Sequence, residues 1–181
     1  MRPRWFRRNR WGLVALLPLI AGLLSFQVKD VYTRLWTEKP REPVPVGEGG
    51  WVAYSDARVR LISLAPATDV KGRSGDTVIL PSSVIIWRAR IAVEGADAED
   101  ALGGCDVTVE AGDGRIFSGS PTELDDTDAV SYGCLPPSTG YTKGSPYELA
   151  TSFVLPRDAT PVAVRIVLAT QLPRYARLSP R

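Results

Sequence analysis

Cys105–Phe117 reads CDVTVEAGDGRIF, and this stretch decides the fold. Cys105, Val107, Val109 and Ala111 alternate with Asp106, Thr108 and Glu110. That period of two describes a strand with one face on a core and the other in water. Asp113-Gly114 interrupts it before Arg115–Ser118 resumes an extended pattern. Glycine accepts positive φ, so an Asp-Gly pair between two such runs signals a hairpin.

The same period recurs on either side. Ile85, Trp87, Ala89, Ile91 and Val93 form one apolar stripe, opposed by Arg88, Arg90 and Glu94. Tyr147, Leu149, Thr151, Phe153 and Leu155 form another, closed by Pro156, and Arg157–Pro161 turns the chain into a stripe of Val162, Val164, Ile166 and Leu168. Shorter extended runs are expected at Trp51–Tyr54, Arg58–Leu64 and Thr77–Leu80. Seven or eight short strands with frequent turn residues predict an all-β, Ig-like antiparallel β-sandwich. It is expected over residues 51–175, with 176–181 as a C-terminal tail, and no segment beyond residue 40 shows a helical period.

Upstream the pattern changes. From Trp11 to Val28 no residue is charged, and WGLVALLPLIAGLLSF (11–26) is almost wholly apolar. As a helix these eighteen residues would span about 27 Å, close to the ~30 Å of a hydrocarbon core. Pro18 is compatible with a membrane helix. Trp5, Trp11, Phe26, Tyr32 and Trp36 lie near its ends, as interfacial aromatics do. Arg2, Arg4, Arg7, Arg8 and Arg10 precede it and only Lys29 follows closely, so residues 1–10 are expected in the cytoplasm, 11–28 in the membrane and the remainder outside. The rival reading is a cleaved signal peptide, but the apolar run is long for one and lacks an Ala-x-Ala site. A twin-arginine signal at Arg7-Arg8 fits poorly, and a lipoprotein cysteine is missing. Residues 29–50 are read as a juxtamembrane segment and a Pro/Gly-rich stalk (EKPREPVPVGEGG, 38–50).

The net charge of +2 hides an asymmetry. Residues 1–41 carry nine basic and two acidic residues, whereas the remainder carries thirteen basic and eighteen acidic. The exported domain is therefore acidic, which argues against nucleic acid as a partner. Arg outnumbers Lys by 18 to 4 and Asn9 is the only Asn, the bias of a GC-rich genome such as an actinobacterial one. Cys105 and Cys134, an even count in an exported domain, predict one disulfide.

Together these motifs resemble a known architecture. Val59-x-Leu61, Asp69-Val70, VIIWRARIAVEG (84–95), CDVTVEAGDGRIF (105–117) and ELATSFVLPRDATPVAVRIVL (148–168) follow one another in its order. The chain is similar to the Ig-like extracytoplasmic domains of bacterial lipoproteins and anchored proteins related to small secreted mycobacterial immunogenic antigens. With its basic-flanked anchor and the terminal Leu172-Pro173-Arg174-Tyr175, it also looks like a group of actinobacterial membrane proteins. The resemblance covers roughly residues 50–175. It implies a β-sandwich in the cell envelope and supplies no catalytic residues; a paired cysteine is not general in that family.

The chemical inventory is narrow. The chain has no histidine, which removes the commonest general base and metal ligand together. Ser-x-x-Lys, Gly-x-Ser-x-Gly, Cys-x-x-Cys and phosphate-binding glycine loops are missing. A hydrolase using paired carboxylates stays open as a class, because two acids at a suitable distance suffice. No cofactor is expected. Asp125, Asp126 and Asp128 in the acidic loop are the nameable candidates for Ca²⁺ ligation, set against a solvated loop. Tyr132 and Tyr141, on the segment tied down by Cys134, are candidates for an interaction surface, set against ordinary loop packing. The function these features favour is a non-catalytic, single-pass envelope protein whose outer domain binds another envelope protein.

Overall fold

β-Branched residues at alternate positions restrict χ1 and pack well on a pleated surface. In the computed structural model of the chain they build two packed sheets. The structure describes residues 10–180 apart from 73, 120, 130–132, 138 and 139. Two compact units divide the chain between Lys39 and Pro40.

Among the described residues the first unit holds one helix, α1 (Arg10–Thr37), with Pro18 inside it. It runs nine residues beyond the span expected from charge alone, since Lys29 and Asp30 do not end it. Its stretch Val14–Thr33 has a mean hydropathy of 1.6, long and apolar enough to cross a membrane. Near its C-terminal end Tyr32 and Trp36, one turn apart, bring their ring centroids to 5.7 Å.

The second unit holds nine strands among the described residues: β1 (Glu42–Val44), β2 (Val52–Tyr54), β3 (Ala57–Pro66), β4 (Val84–Glu94), β5 (Asp106–Ala111), β6 (Ile116–Ser118), β7 (Tyr147–Pro156), β8 (Pro161–Val167) and β9 (Arg174–Leu178). One sheet has the order β1-β9-β8-β5-β6 and the other β2-β3-β4-β7. The longest ladder joins β4 to β7 from Val84↔Pro156 to Val93↔Tyr147. In the Asp-Gly hairpin Gly114 adopts φ 86° and donates its N–H to the Ala111 carbonyl (2.9 Å), as the sequence signal required. The apolar stripes meet between the sheets, where Val59, Ile91, Val93, Val109, Phe153 and Ile166 are fully buried. The result is the expected Ig-like sandwich.

Three expectations are corrected. The segment read as a stalk is partly inside the sandwich: β1 pairs parallel with β9, Glu42↔Arg174 to Val44↔Ala176, and Val44 joins the core. Pro43 is tolerated there because β1 is an edge strand, where a missing N–H costs no ladder bond. The boundary at residue 175 falls inside β9, whose Ala176 and Leu178 are buried. Thr77–Leu80 is not a strand; only Thr77 bridges, to Lys71.

The sequence also gave no sign of a second core on the outer face of β4. Ile86 alternates away from the main core and is buried with Val70, Leu124 and Ala129. The segments around Lys71 and Thr127 cover it, joined by a Gly72↔Thr127 bridge and by the Asp128 N–H donating to the Lys71 carbonyl (2.8 Å).

Candidate functional site

Cys105 and Cys134 form the expected disulfide, with Cα atoms 5.7 Å apart across 29 residues. Both are buried, Cys105 immediately before β5 and Cys134 in the loop before β7. The Tyr147 hydroxyl donates to the Cys134 carbonyl (3.0 Å), and burial pushes its pKa up to about 12. Tyr141 packs edge-on against Tyr147, ring centroids 5.4 Å apart, and its hydroxyl accepts the Gly144 N–H (3.2 Å). Desolvation, with Glu99 beside it, raises the Tyr141 pKa, although the backbone bond from Gly144 works the other way. A one-turn helix, α2 (Ala98–Ala101), supplies Glu99 and Asp100 to Lys143 at 3.4 and 2.9 Å. Tyr141 is thus half-buried in a knot that closes one end of the sandwich. Its hydroxyl is engaged within that knot. Tyr132, named with it, lies outside the described residues.

The acidic loop has a bracing role. Asp128 Oδ1 accepts the Lys71 N–H (2.9 Å). Thr127 Oγ1 donates to the Leu124 carbonyl (2.8 Å) and accepts the Ala129 N–H (3.1 Å). These bonds hold Leu124 in the second core. Asp125 and Asp126 stay exposed. Among the described residues no group of three Asp, Glu or Cys side chains is placed to hold a metal ion, so Asp125, Asp126 and Asp128 do not converge as ligands.

Several carboxylates elsewhere are paired with cations. Asp69 meets Arg88 (3.0 Å), Glu148 meets Arg90 (2.7 Å), and Glu110 meets Arg177 (3.0 Å). Asp113 and Asp158 share Arg115 at 2.6 and 3.2 Å. Hydrogen bonds from Arg88 and Arg177 hold Asp69 and Glu110 below the usual carboxylate range, and the Arg115 backbone N–H does the same for Asp113. A carboxylate pair that cleaves glycosidic bonds needs one acid held protonated, and the environments of these three push the other way.

The sequence did not indicate a cluster on the outer face of the four-stranded sheet. Arg58 and Arg60 alternate with buried Val59 on β3, and Arg88 and Arg90 flank buried Ala89 on β4. Trp51, just before β2, lies beside both β3 arginines, whose guanidinium carbons are 5.0 and 4.7 Å from its ring centroid. Such contacts are favourable because the ring face is electron-rich. Further along, Asp69, Arg88, Arg90, Asp128, Ala150 and Ser152 line a shallow hollow of about 350 Å³. The signal for this cluster is the Arg-x-Arg spacing in β3 and β4; its coherence depends on the pairing register, which a linear reading does not supply.

Against known proteins, no family model matches the chain, and no curated protein matches it. Among solved structures it is similar to MPT63, a secreted protein from Mycobacterium tuberculosis, at 14% identity. That match covers 75% of this chain and 97% of that one with a TM-score of 0.46. A β-sandwich protein from Clostridium difficile 630 aligns at 7% identity over 80% of this chain and 97% of that one, with a TM-score of 0.45.

Proposed function

We propose that the chain is a non-catalytic, membrane-anchored envelope protein whose sandwich is displayed outside the cell to bind another protein. One observation carries this reading: a helix whose stretch Val14–Thr33 is long and apolar enough to cross a membrane precedes a unit with its own core. An apolar helix of that length is stable when lipid surrounds it. The five arginines before the helix favour an inside N-terminus. The absence of histidine and the matching of acids to arginines favour a binding role over a catalytic one. Fractionating membranes of cells making the full chain tests the anchor. The protein should stay in the bilayer after alkaline extraction, keep its full mass, and lose its sandwich to protease added outside. A product cut near Phe26 and released to the medium would refute it. Affinity capture of the detergent-extracted chain tests the binding role, which fails if no protein co-purifies in proportion to it.

A further inference from the structure

On the outer face of the four-stranded sheet, the hollow of about 350 Å³ is lined by β4 and β7 and by the loops that carry Asp69 and Asp128. Strand register sets Arg88 opposite Ser152 and Arg90 opposite Ala150. Leu149 and Phe153 belong to the main core, so Ser152, of opposite parity, projects outward with the two arginines. Ser152 is 2% exposed and lines the hollow, yet its hydroxyl has no hydrogen-bond partner among the described residues. Burying a hydroxyl without a partner is unfavourable, and a ligand that bonds it there removes that cost. The arginines also have donors to spare. Arg88 meets Asp69 through Nη1 alone (3.0 Å), and Arg90 meets Glu148 through Nε and Nη2 (3.3 and 2.7 Å). Those pairs leave Nε and Nη2 of Arg88 and Nη1 of Arg90 unused. From the loop side, Asp128 accepts the Lys71 N–H with Oδ1, and no cation pairs with its carboxylate among the described residues.

We propose that this hollow binds a small zwitterion carrying a carboxylate and an ammonium group, as a free α-amino acid or a short peptide does. The Ser152 hydroxyl and the unused arginine donors take the carboxylate, and Oδ2 of Asp128 takes the ammonium. The ion pairs already made in the fold stay intact. A simple anion would face Asp69 and Asp128, and a simple cation would face both arginines, so neither suits the whole lining. Ala129 and Ala150 complete it and leave room for a small side chain. Because the hollow is shallow, affinity is modest. The site lies within the sandwich unit and depends neither on the anchor nor on a protein partner.

The test is equilibrium dialysis of the full chain in detergent against radiolabelled L-alanine and, separately, L-alanyl-L-alanine. Saturable binding of either supports the site, and the tighter of the two tells a free amino acid from a peptide as its source. L-alaninamide, which lacks the carboxylate, should compete about tenfold less well than L-alanine. Propionate, which lacks the ammonium, should compete about two- to fivefold less well, the worth of an exposed ion pair. Ser152→Ala removes a bond to a charged group and should weaken binding about tenfold. It should melt no lower than wild type, because the deleted hydroxyl makes no bond in the fold; a purely structural serine would show the reverse. Asp128→Asn keeps an oxygen for the Lys71 N–H and removes the charge, so binding should fall about two- to fivefold. The inference is overturned if neither labelled compound binds saturably, or if L-alaninamide, propionate or inorganic phosphate competes as well as L-alanine. It is equally overturned if Ser152→Ala binds like wild type or melts well below it, or if Asp128→Asn binds like wild type.

Discussion

Gly119 offers the sharpest test of how the two sheets are joined. It follows β6 at the point where the chain leaves the five-stranded sheet, and its N–H donates to the Val107 carbonyl (2.8 Å). A Cβ placed on it would lie 2.5 Å from that carbonyl oxygen, 2.6 Å from Thr151 Cγ2 and 3.2 Å from Phe153 Cε1. Two of these neighbours are buried β7 side chains and the third is β5 backbone, so none can swing away. Its φ lies outside the left-handed region, so close approach alone demands glycine. Gly119→Ala forces an overpacking cost of about 1–3 kcal/mol. Displacing β5 also weakens the Val107 bond, worth about 1 kcal/mol. The more rigid unfolded chain returns about 0.4–1 kcal/mol. The net loss is about 1–3.6 kcal/mol, or roughly 3–14 °C in Tm for a unit of this size. Gly112→Ala is the internal control, since its Cβ would meet Val162 Cγ1 at an ordinary 3.4 Å. Thermal melts followed by tryptophan fluorescence should separate the two variants clearly. Equal melting temperatures would refute the view that the β5–β7 junction is too tight for a methyl group.

Other expectations follow from single contacts. Tyr54 is buried, its hydroxyl donating to the Arg174 carbonyl (3.1 Å) and accepting the Leu168 N–H (3.0 Å). Tyr54→Phe leaves those groups unsatisfied and should cost about 1–3 kcal/mol in urea unfolding, an unchanged midpoint counting against the bridge. Reducing the Cys105–Cys134 bond, which closes 29 residues, should lower stability by roughly 3–4 kcal/mol in the chain-entropy model. Melts with and without reductant measure this, and a double Cys→Ser variant should reproduce it. Glu110 has a depressed pKa through Arg177, so its stabilisation is present above the unfolded carboxylate pKa of about 4.3 and is lost as pH falls through the folded value. Arg177→Gln should flatten the acid limb of a stability–pH profile, and an unaltered limb would remove this pair as its source. Tyr147 has the opposite sign: its stabilisation is complete below the unfolded pKa of about 10 and lost as pH rises through about 12. Alkaline titration of phenolate absorbance should show a late-ionising tyrosine that disappears in Tyr147→Phe.

The long strands were legible because their information is local. Alternation in Ile85–Val93 and Tyr147–Leu155 reports which side chains face a core without naming the partner strand. Asp113-Gly114 was legible for the same reason: a positive φ is a property of one residue. The apolar helix needed only composition, and its true end at Thr37 was missed because charge marks where lipid stops and not where helix stops.

What escaped was decided by distant partners. Glu42–Val44 is a strand only because Arg174–Ala176 offers it an edge, and three residues with two prolines nearby show no period of their own. Ile86 faces away from the main core, so its burial depends on Val70, Leu124 and Ala129 folding over it. Asp128 read as a possible metal ligand from its spacing, but its carboxylate is aimed at a backbone N–H 57 residues away. Trp51 could not be placed until the β2–β3 register brought Arg58 and Arg60 to its ring. Period and turn chemistry, written into neighbouring residues, determined that this chain is an apolar helix followed by a β-sandwich. Register and loop packing, which sum weak contacts between residues far apart in sequence, decided where its acids, arginines and second core came together.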